Sequence, residues 1–185
     1  MNTNTLIVFG IIIFIIICLF VLLNKLAIKK NNVLFARSTI DVMLKKRYDL
    51  IPKLVDVVKA YDRHEEKVLE RITLIRKEAM DALEQKDIIN YNEELKNLLN
   101  ELFVNVENYP KLRSNINYIQ LQTMLKDVED EISAARRNYN SHVTIYNTFI
   151  SMIPVNIIAF IFGYRKIELF KMSDIEKNRK SWADK

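Results

Sequence analysis

Glycine occupies only two positions of this 185-residue chain, Gly10 and Gly163, and proline only three, Pro52, Pro110 and Pro154. So few turn-formers cannot punctuate a β-sandwich or an α/β fold; they point to a few long helices. The one cysteine, Cys18, lies inside an apolar run, so no intrachain disulfide can form and the compartment need not be oxidising. With two histidines, His64 and His142, and no Glu-x-x-His pattern, the chain lacks the ligands of a di-iron bundle, and neither a metal nor another cofactor is expected. A P-loop, a dinucleotide fingerprint, a Gly-x-Ser-x-Gly elbow and a cysteine nucleophile outside the apolar run are all missing, so enzymatic activity is not expected. Asp127, Glu129, Asp130 and Glu131 stand close in sequence, but a helix spreads them around more than half its circumference, as a solvated face does.

What the chain does have, at residues 6–23, is the uninterrupted run LIVFGIIIFIIICLFVLL, with sixteen Leu, Ile, Val or Phe residues plus Gly10 and Cys18. Eighteen helical residues rise roughly 27 Å, close to a hydrocarbon thickness of about 30 Å, and insertion is favourable by roughly 5 to 10 kcal/mol. Residues 1–5 carry no Lys or Arg, and Asn24-Lys25-Leu26 offers no small-residue cleavage site, so a retained anchor is expected rather than a cleaved signal. No Gly follows Met1 and no prenylation box ends the chain, so neither N-myristoylation nor prenylation is expected. Lys25, Lys29, Lys30 and Arg37 follow the run, and this asymmetry predicts a cell-membrane protein with its N-terminus outside and the bulk of the chain in the cytoplasm.

From Lys25 to Arg47 seven basic residues face Asp41 alone, and from Gly163 to Lys185 seven face four acidic ones, leaving about −4 of the net +5 charge for the middle. Basic segments tethered beside a bilayer meet anionic lipid headgroups first. They lack the interleaved aromatics that stack bases, so nucleic-acid binding is not expected.

The spacing of Ile40, Leu44, Arg47, Ile51, Leu54, Val58 and Tyr61 predicts a helix over about 33–61, with a proline kink after Leu50 where Pro52 lacks its N–H. Two separate helices, with Asp49 capping the second, are the alternative. A second helix follows Asp62, with Glu65 as its capping-box partner and Val68, Ile72, Ile75, Ala79 and Ala82 as its apolar stripe. After a turn around residues 85–87, Ile88, Tyr91, Leu95, Leu98, Leu102 and Val106 make a third, which ends before Tyr109-Pro110. The longest runs from Tyr118 through Leu121, Leu125, Val128, Ile132, Ala135, Tyr139, His142 and Tyr146 to Phe149. Short connections favour antiparallel neighbours, so the expected fold is all-α: an N-terminal transmembrane helix followed by an antiparallel up-down-up-down four-helix bundle.

The expected organisation is therefore a short extracytoplasmic N-terminus over 1–5, the span over 6–23, the bundle over 24–150, an apolar membrane-proximal segment over 151–170 and a polar tail over 171–185. Within the fourth of these, MIPVNIIAFIF at 152–162 is too short to span, being interrupted by Pro154 and Asn156. It plugs the open end of the bundle, or presses Ile157, Ile158 and Phe160 into the membrane interface with Arg165, Lys166 and Lys171, like Lys25, Lys29 and Lys30, facing lipid phosphates, or does both. Arg47 and His142 fall on inward positions, and a buried charge needs a partner. Counting rises along antiparallel first and fourth helices directs Arg47 to Glu131 or the Tyr139 hydroxyl, with Asp49 and Asn140 in reserve and Arg136 pointing outward.

Lys45-Lys46-Arg47-Tyr48-Asp49-Leu50-Ile51-Pro52-Lys53-Leu54-Val55, then Val58-Lys59-Ala60-Tyr61 and His64-Glu65, resemble the signature of the LemA family of bacterial single-pass membrane proteins. So do Tyr109-Pro110, Leu121-Gln122, Glu129, Ile132, Ala135-Arg136, Tyr139-Asn140, Tyr146-Asn147, Pro154, Asn156, Ala159 and Phe162-Gly163. Lys53 and Ala60 depart from the Asn and Gly usual there. The resemblance implies one membrane helix and a cytoplasmic four-helix bundle without an established activity. It also implies a loose association with membrane proteolysis, in particular with a zinc metalloprotease of the membrane, which makes an adaptor role conceivable.

The leading functional expectation is a non-catalytic membrane-anchored scaffold or adaptor docking a membrane or cytoplasmic protein. The alternative is a membrane-proximal sensor that binds a lipid or small ligand in the bundle or at its apolar foot. Arg47, Asp49, Pro52, His64, Glu65, Arg136, Tyr139, Asn140, Pro154 and Asn156 are the candidate structural or interaction residues.

Overall fold

The computed structural model describes residues 3–61 and 66–170, and every regular element among them is helical. They are α1 (Thr3–Lys59), α2 (Glu66–Asp81), α3 (Gln85–Asn105), α4 (Pro110–Arg113), α5 (Ile116–Ser151) and α6 (Val155–Ile161), with a 3-10 turn at Val106–Asn108 before α4. Asp62, His64, Glu65 and the polar tail over 171–185 lie outside the described residues.

The first finding is the length of α1. Membrane-length run and Arg47-bearing segment form one unbroken helix of 57 residues. The alternative of two helices with an Asp49 cap is overturned, because the backbone stays helical from Asp49 through Pro52. Pro52 is tolerated since its ring lies on the exposed face and only one ladder hydrogen bond is lost. The helix stops at Lys59, two residues short of Tyr61, whose ring is exposed and whose hydroxyl accepts a hydrogen bond from the Asn115 amide at 2.7 Å. The apolar run is long enough to cross a membrane, and none of it is buried.

The chain divides into two compact units. Residues 41–133 form one of them, containing the end of α1, all of α2, α3 and α4, and the first half of α5. Its core is Leu44, Ile51, Leu54 and Val58 from α1, Leu69, Ile72, Ile75 and Ala79 from α2, Leu95, Leu98, Leu99 and Leu102 from α3, and Leu121, Leu125, Val128 and Ile132 from α5. On α2, Leu69 rather than Val68 begins the inward stripe, because 69, 72, 75 and 79 keep the helical phase of the buried residues. The turn before α3 falls at residues 82–84, a few residues earlier than expected. Pro110 ends α3's continuation and opens α4, at the position where a missing N–H costs nothing.

The second unit combines residues up to 40 with those from 134 on. Leu26, Val33, Ala36 and Ile40 of α1 are buried here, as are Ala135, Tyr139, Val143, Tyr146 and Ile150 of α5. Val143 displaces His142 from the inward stripe; the steps from 139 to 143, 146 and 150 keep the apolar phase, and His142 is left half-buried. After α5 the chain turns at Pro154, and α6 runs 96° away from it. Gly163, at φ +71, closes α6 with paired hydrogen bonds, Tyr164 N–H to Ala159 O at 2.9 Å and Gly163 N–H to Phe160 O at 3.3 Å, a backbone geometry that favours glycine. Residues 164–170 then run back along α5 without regular structure.

Tyr118, at the start of α5, is 2% exposed and its hydroxyl has no hydrogen-bond partner. Burial pushes this phenol up to about 12 from 10.0. Tyr118→Phe is expected to stabilise the fold by about 1 kcal/mol, because an unsatisfied buried hydroxyl is removed. Because burial disfavours the phenolate and raises the folded-state value, folding stability is level below the unfolded value and falls as pH climbs through 10.0 toward about 12. Thermal unfolding of the detergent-solubilised chain against pH checks both; the Phe variant should lack this component of the alkaline loss.

Candidate functional site

In the unit formed by residues 41–133, one polar cluster joins α1, α2, α3 and α5, and it begins with a defect in α1. Pro52 has no N–H, so the Tyr48 carbonyl one turn earlier loses its helical partner. Arg76 of α2 supplies one: its Nε–H donates to that carbonyl at 2.7 Å. The Tyr48 hydroxyl donates in turn to Asn92 Oδ1 of α3 at 2.8 Å. Arg47, 2% exposed, also donates through Nη2 to Asn92 Oδ1, and through Nη1 to Glu129 Oε2 of α5 at 2.9 Å. Lys96 closes the set against Glu129 Oε1 at 3.1 Å, while Asn92 donates its Nδ2 to the Ile88 carbonyl at 2.7 Å.

Burial pulls the Glu129 carboxyl upward, but the Arg47 and Lys96 charges and their hydrogen bonds outweigh it and hold the group below the usual carboxylate range. The expected Arg47 partners are therefore corrected. Glu131 lies on the other flank of α5 and pairs with Lys46 at 2.8 Å, both ends about half exposed, where an ion pair contributes little. Tyr139 and Asn140 bind the backbone of residues 168 and 170 instead, and Asp49 is exposed. Asn92 and Arg76 were not expected. Asn92 shares its helical phase with Ile88, Leu95, Leu99 and Leu102, so the stripe held the signal; for Arg76 the only signal was the carbonyl that Pro52 frees.

Beside the cluster, α1, α3 and α5 enclose an open cleft of about 610 Å³, lined by Arg47, Lys96, Phe103, Gln122, Lys126 and Glu129 among others. Its deepest charges are already paired with one another. Among the described residues no three His, Cys, Asp or Glu side chains converge as metal ligands would.

The other unit carries a different arrangement. Two α5 asparagines, seven residues apart, each grip one residue of the returning segment by both backbone groups. Asn147 donates to Ile167 O at 2.8 Å and accepts from Ile167 N–H at 3.0 Å; Asn140 donates to Phe170 O at 2.9 Å and accepts from Phe170 N–H at 2.8 Å. Seven helical residues and three extended ones both span about 10 Å, so the two grips fit without distortion. Tyr146 and Tyr139 donate to the carbonyls of Arg165 and Glu168 at 3.1 and 3.3 Å. The Phe170 ring meets Tyr139 edge-on at 5.1 Å and lies under the half-buried Arg136 guanidinium at 5.8 Å.

Among the candidate lipid contacts, Lys29 holds its ammonium over the Phe149 ring at 5.1 Å and Lys30 over Tyr164 at 5.2 Å. Lys25, Arg165 and Lys166 are exposed, as are Ile157 and Phe160, whereas Ile158 is half covered. Pro154 and Asn156 are exposed around the bend, and the Asn156 side-chain Oδ1 accepts from the Ile157 N–H at 2.9 Å.

Among the described residues these features define a helical protein with a membrane-length apolar run in α1 and a buried polar cluster joining α1, α2, α3 and α5. The LemA family profile matches residues 36–181, and the chain belongs to that family. It is 28% identical to Protein LemA of Metamycoplasma hominis over 155 residues, covering 83% of this chain and 71% of that protein. It is also 27% identical to Magnetosome protein MamQ 2 of Paramagnetospirillum magneticum over 161 residues, and 26% identical to Magnetosome protein MamQ of Magnetospirillum gryphiswaldense over 160. The latter matches take in 73% and 72% of this chain, which spans 59% of either MamQ protein.

Arg76→Met is expected to cost about 1 to 2 kcal/mol by leaving the Tyr48 carbonyl unsatisfied. Its cost should shrink markedly in a Pro52→Ala background, where residue 52 again offers an N–H. A double-mutant cycle read by thermal unfolding measures the coupling, and equal costs in both backgrounds would refute this account of the carbonyl. Glu129, with its folded value lowered, contributes stability that is present above the unfolded carboxylate value and lost as pH falls through the folded one. Glu129→Gln should therefore destabilise the chain at neutral pH, with the deficit closing in acid.

Proposed function

We propose that this protein is a non-catalytic, membrane-anchored helical scaffold, with its N-terminus outside and its helices packed as an antiparallel up-down-up-down bundle on the cytoplasmic side. The observation that carries the reading is that one helix, α1, contains both the exposed apolar run and the Arg47-Tyr48 pair on which the polar cluster is built. Such a chain invests its buried polar groups in holding helices against one another, and the cleft's least exposed charges, Arg47, Lys96 and Glu129, are engaged with one another. Lys29 beside Phe149, and the Arg37 charge felt by Tyr139, support antiparallel α1 and α5 in the unit they share. Two relatives named as magnetosome proteins support a place in an assembly at a membrane. The partner is a membrane or cytoplasmic protein, with a membrane protease the first to test.

The cleft of about 610 Å³ favours a second reading, a membrane-proximal sensor, because its size suits a small ligand. Crosslinking in intact cells from photoreactive residues placed at exposed α2, α3 and α5 positions, followed by mass spectrometry, separates the two. A stoichiometric protein partner supports the scaffold, and a small molecule captured without a protein supports the sensor. Protease added to cells stripped of their wall should leave the helices beyond the anchor whole, and their digestion would overturn the cytoplasmic assignment.

A further inference from the structure

α6 has two faces of opposite character. Val155 and Ala159 are each 3% exposed and seal it against its own unit. On the other side Ile157 is 59%, Phe160 88% and Ile161 69% exposed, and Ile153 just before the bend is 83%. Four bulky apolar side chains so bare form a patch that water disfavours and that a soluble surface rarely carries.

The position of this patch says what covers it. Lys29 lies six residues beyond the end of the apolar run, a rise of about 9 Å, just past a headgroup layer of about 5 to 7 Å. Its ammonium rests on Phe149, and the neighbouring Lys30 on Tyr164, so the end of α5 and the exit from α6 sit at that height. α5 passes from Tyr139, near Arg37, to Phe149, near Lys29, and so runs toward the apolar run; α6 begins a few residues further on, closer to the hydrocarbon. There the chain turns by 96°, which lays α6 across the direction of α5. Arg165 and Lys166 follow it, both exposed, as cations at a headgroup boundary would be. The asparagine grips at 147 and 140 hold the segment leaving α6, so the helix is restrained at both ends.

We infer that α6 is a second membrane contact, an in-plane helix whose Ile153, Ile157, Phe160 and Ile161 side chains enter the acyl region of the leaflet that the apolar run leaves. The inference rests on the membrane-anchored reading and adds a lipid site to it. In this arrangement the bilayer touches the protein twice, through a crossing helix and through a lateral foot. The domain is thereby fixed in tilt and rotation as well as in depth.

The test uses the full chain with Cys18→Ser, reconstituted in vesicles of phosphatidylcholine and phosphatidylglycerol. A nitroxide is attached to single cysteines introduced as Ile157→Cys, Phe160→Cys, Phe14→Cys in the span or Asp81→Cys on an exposed face. Labels at 157 and 160 should collide more with dioxygen than with a water-soluble nickel chelate, as the label at 14 does, while the label at 81 shows the reverse. Preferred collision with nickel at 157 and 160 would overturn the inference, and so would immobilised spectra shielded from both agents, which mean a protein neighbour. If the label at 14 were also water-exposed, the anchor reading itself would fail, so the two failures are distinguishable. Should labelling at these sites perturb folding, Phe160→Trp in a Trp182→Phe background is read by quenching with brominated lipids. Strong quenching supports the foot, and emission unchanged by bromine overturns it.

Discussion

A proline inside a helix leaves a carbonyl that must be satisfied, and the interior of residues 41–133 is organised around that requirement. Pro52 takes away the partner of the Tyr48 carbonyl, and Arg76 of α2 restores one. The same residue sends its hydroxyl to Asn92 of α3, where Arg47 also arrives before reaching Glu129 of α5. Three other helices are thus indexed to two adjacent residues of α1. Apolar stripes alone allow helices to slide or rotate by a turn at small cost; a set of directional hydrogen bonds in low dielectric does not. A one-turn slip would strand a guanidinium, a carboxylate and an amide away from water, and each is costly to leave unpaired.

The membrane-proximal unit uses a different device for the same problem. Helix surfaces offer few hydrogen bonds to a neighbouring chain, since their own backbone groups are engaged internally. Asn140 and Asn147 overcome this by presenting both a donor and an acceptor at heptad spacing, which matches three residues of extended backbone. The returning segment is thereby held without a sheet. Gly163 makes the reversal possible, because its backbone turns through a region that side chains disfavour. Behind this strap the apolar outer face of α6 stays bare, which is tolerable at the edge of a bilayer and unfavourable in water.

Much of the architecture was legible in composition and spacing, for identifiable reasons. Few glycines and prolines excluded folds that need many turns, and eighteen consecutive apolar residues matched the bilayer. The stripes of α1 and α5 were read nearly residue for residue because long helices repeat their phase many times. Spacing leaves Val68 against Leu69 and His142 against Val143 open, because either member of each pair lies three or four residues from the next buried position, and only packing chooses between them. The stripe marks Arg47 as inward but does not identify Glu129 as its partner. The choice between Glu129 and Glu131 depends on which flank of α5 faces α3, a fact about neighbours rather than about either helix.

Helicity, a run able to cross a membrane and the inward phase of Arg47 are all legible along the chain, because they follow from local periodicity and from the solvation of single groups. The carbonyl that Pro52 frees is legible as well, since the missing N–H is covalent. Helix packing alone brings Arg76 to that carbonyl, Tyr48 and Arg47 to Asn92, and residues 167 and 170 to the two asparagines. A hydrogen bond between groups tens of residues apart depends on where whole helices stand, and no spacing within a single helix records that.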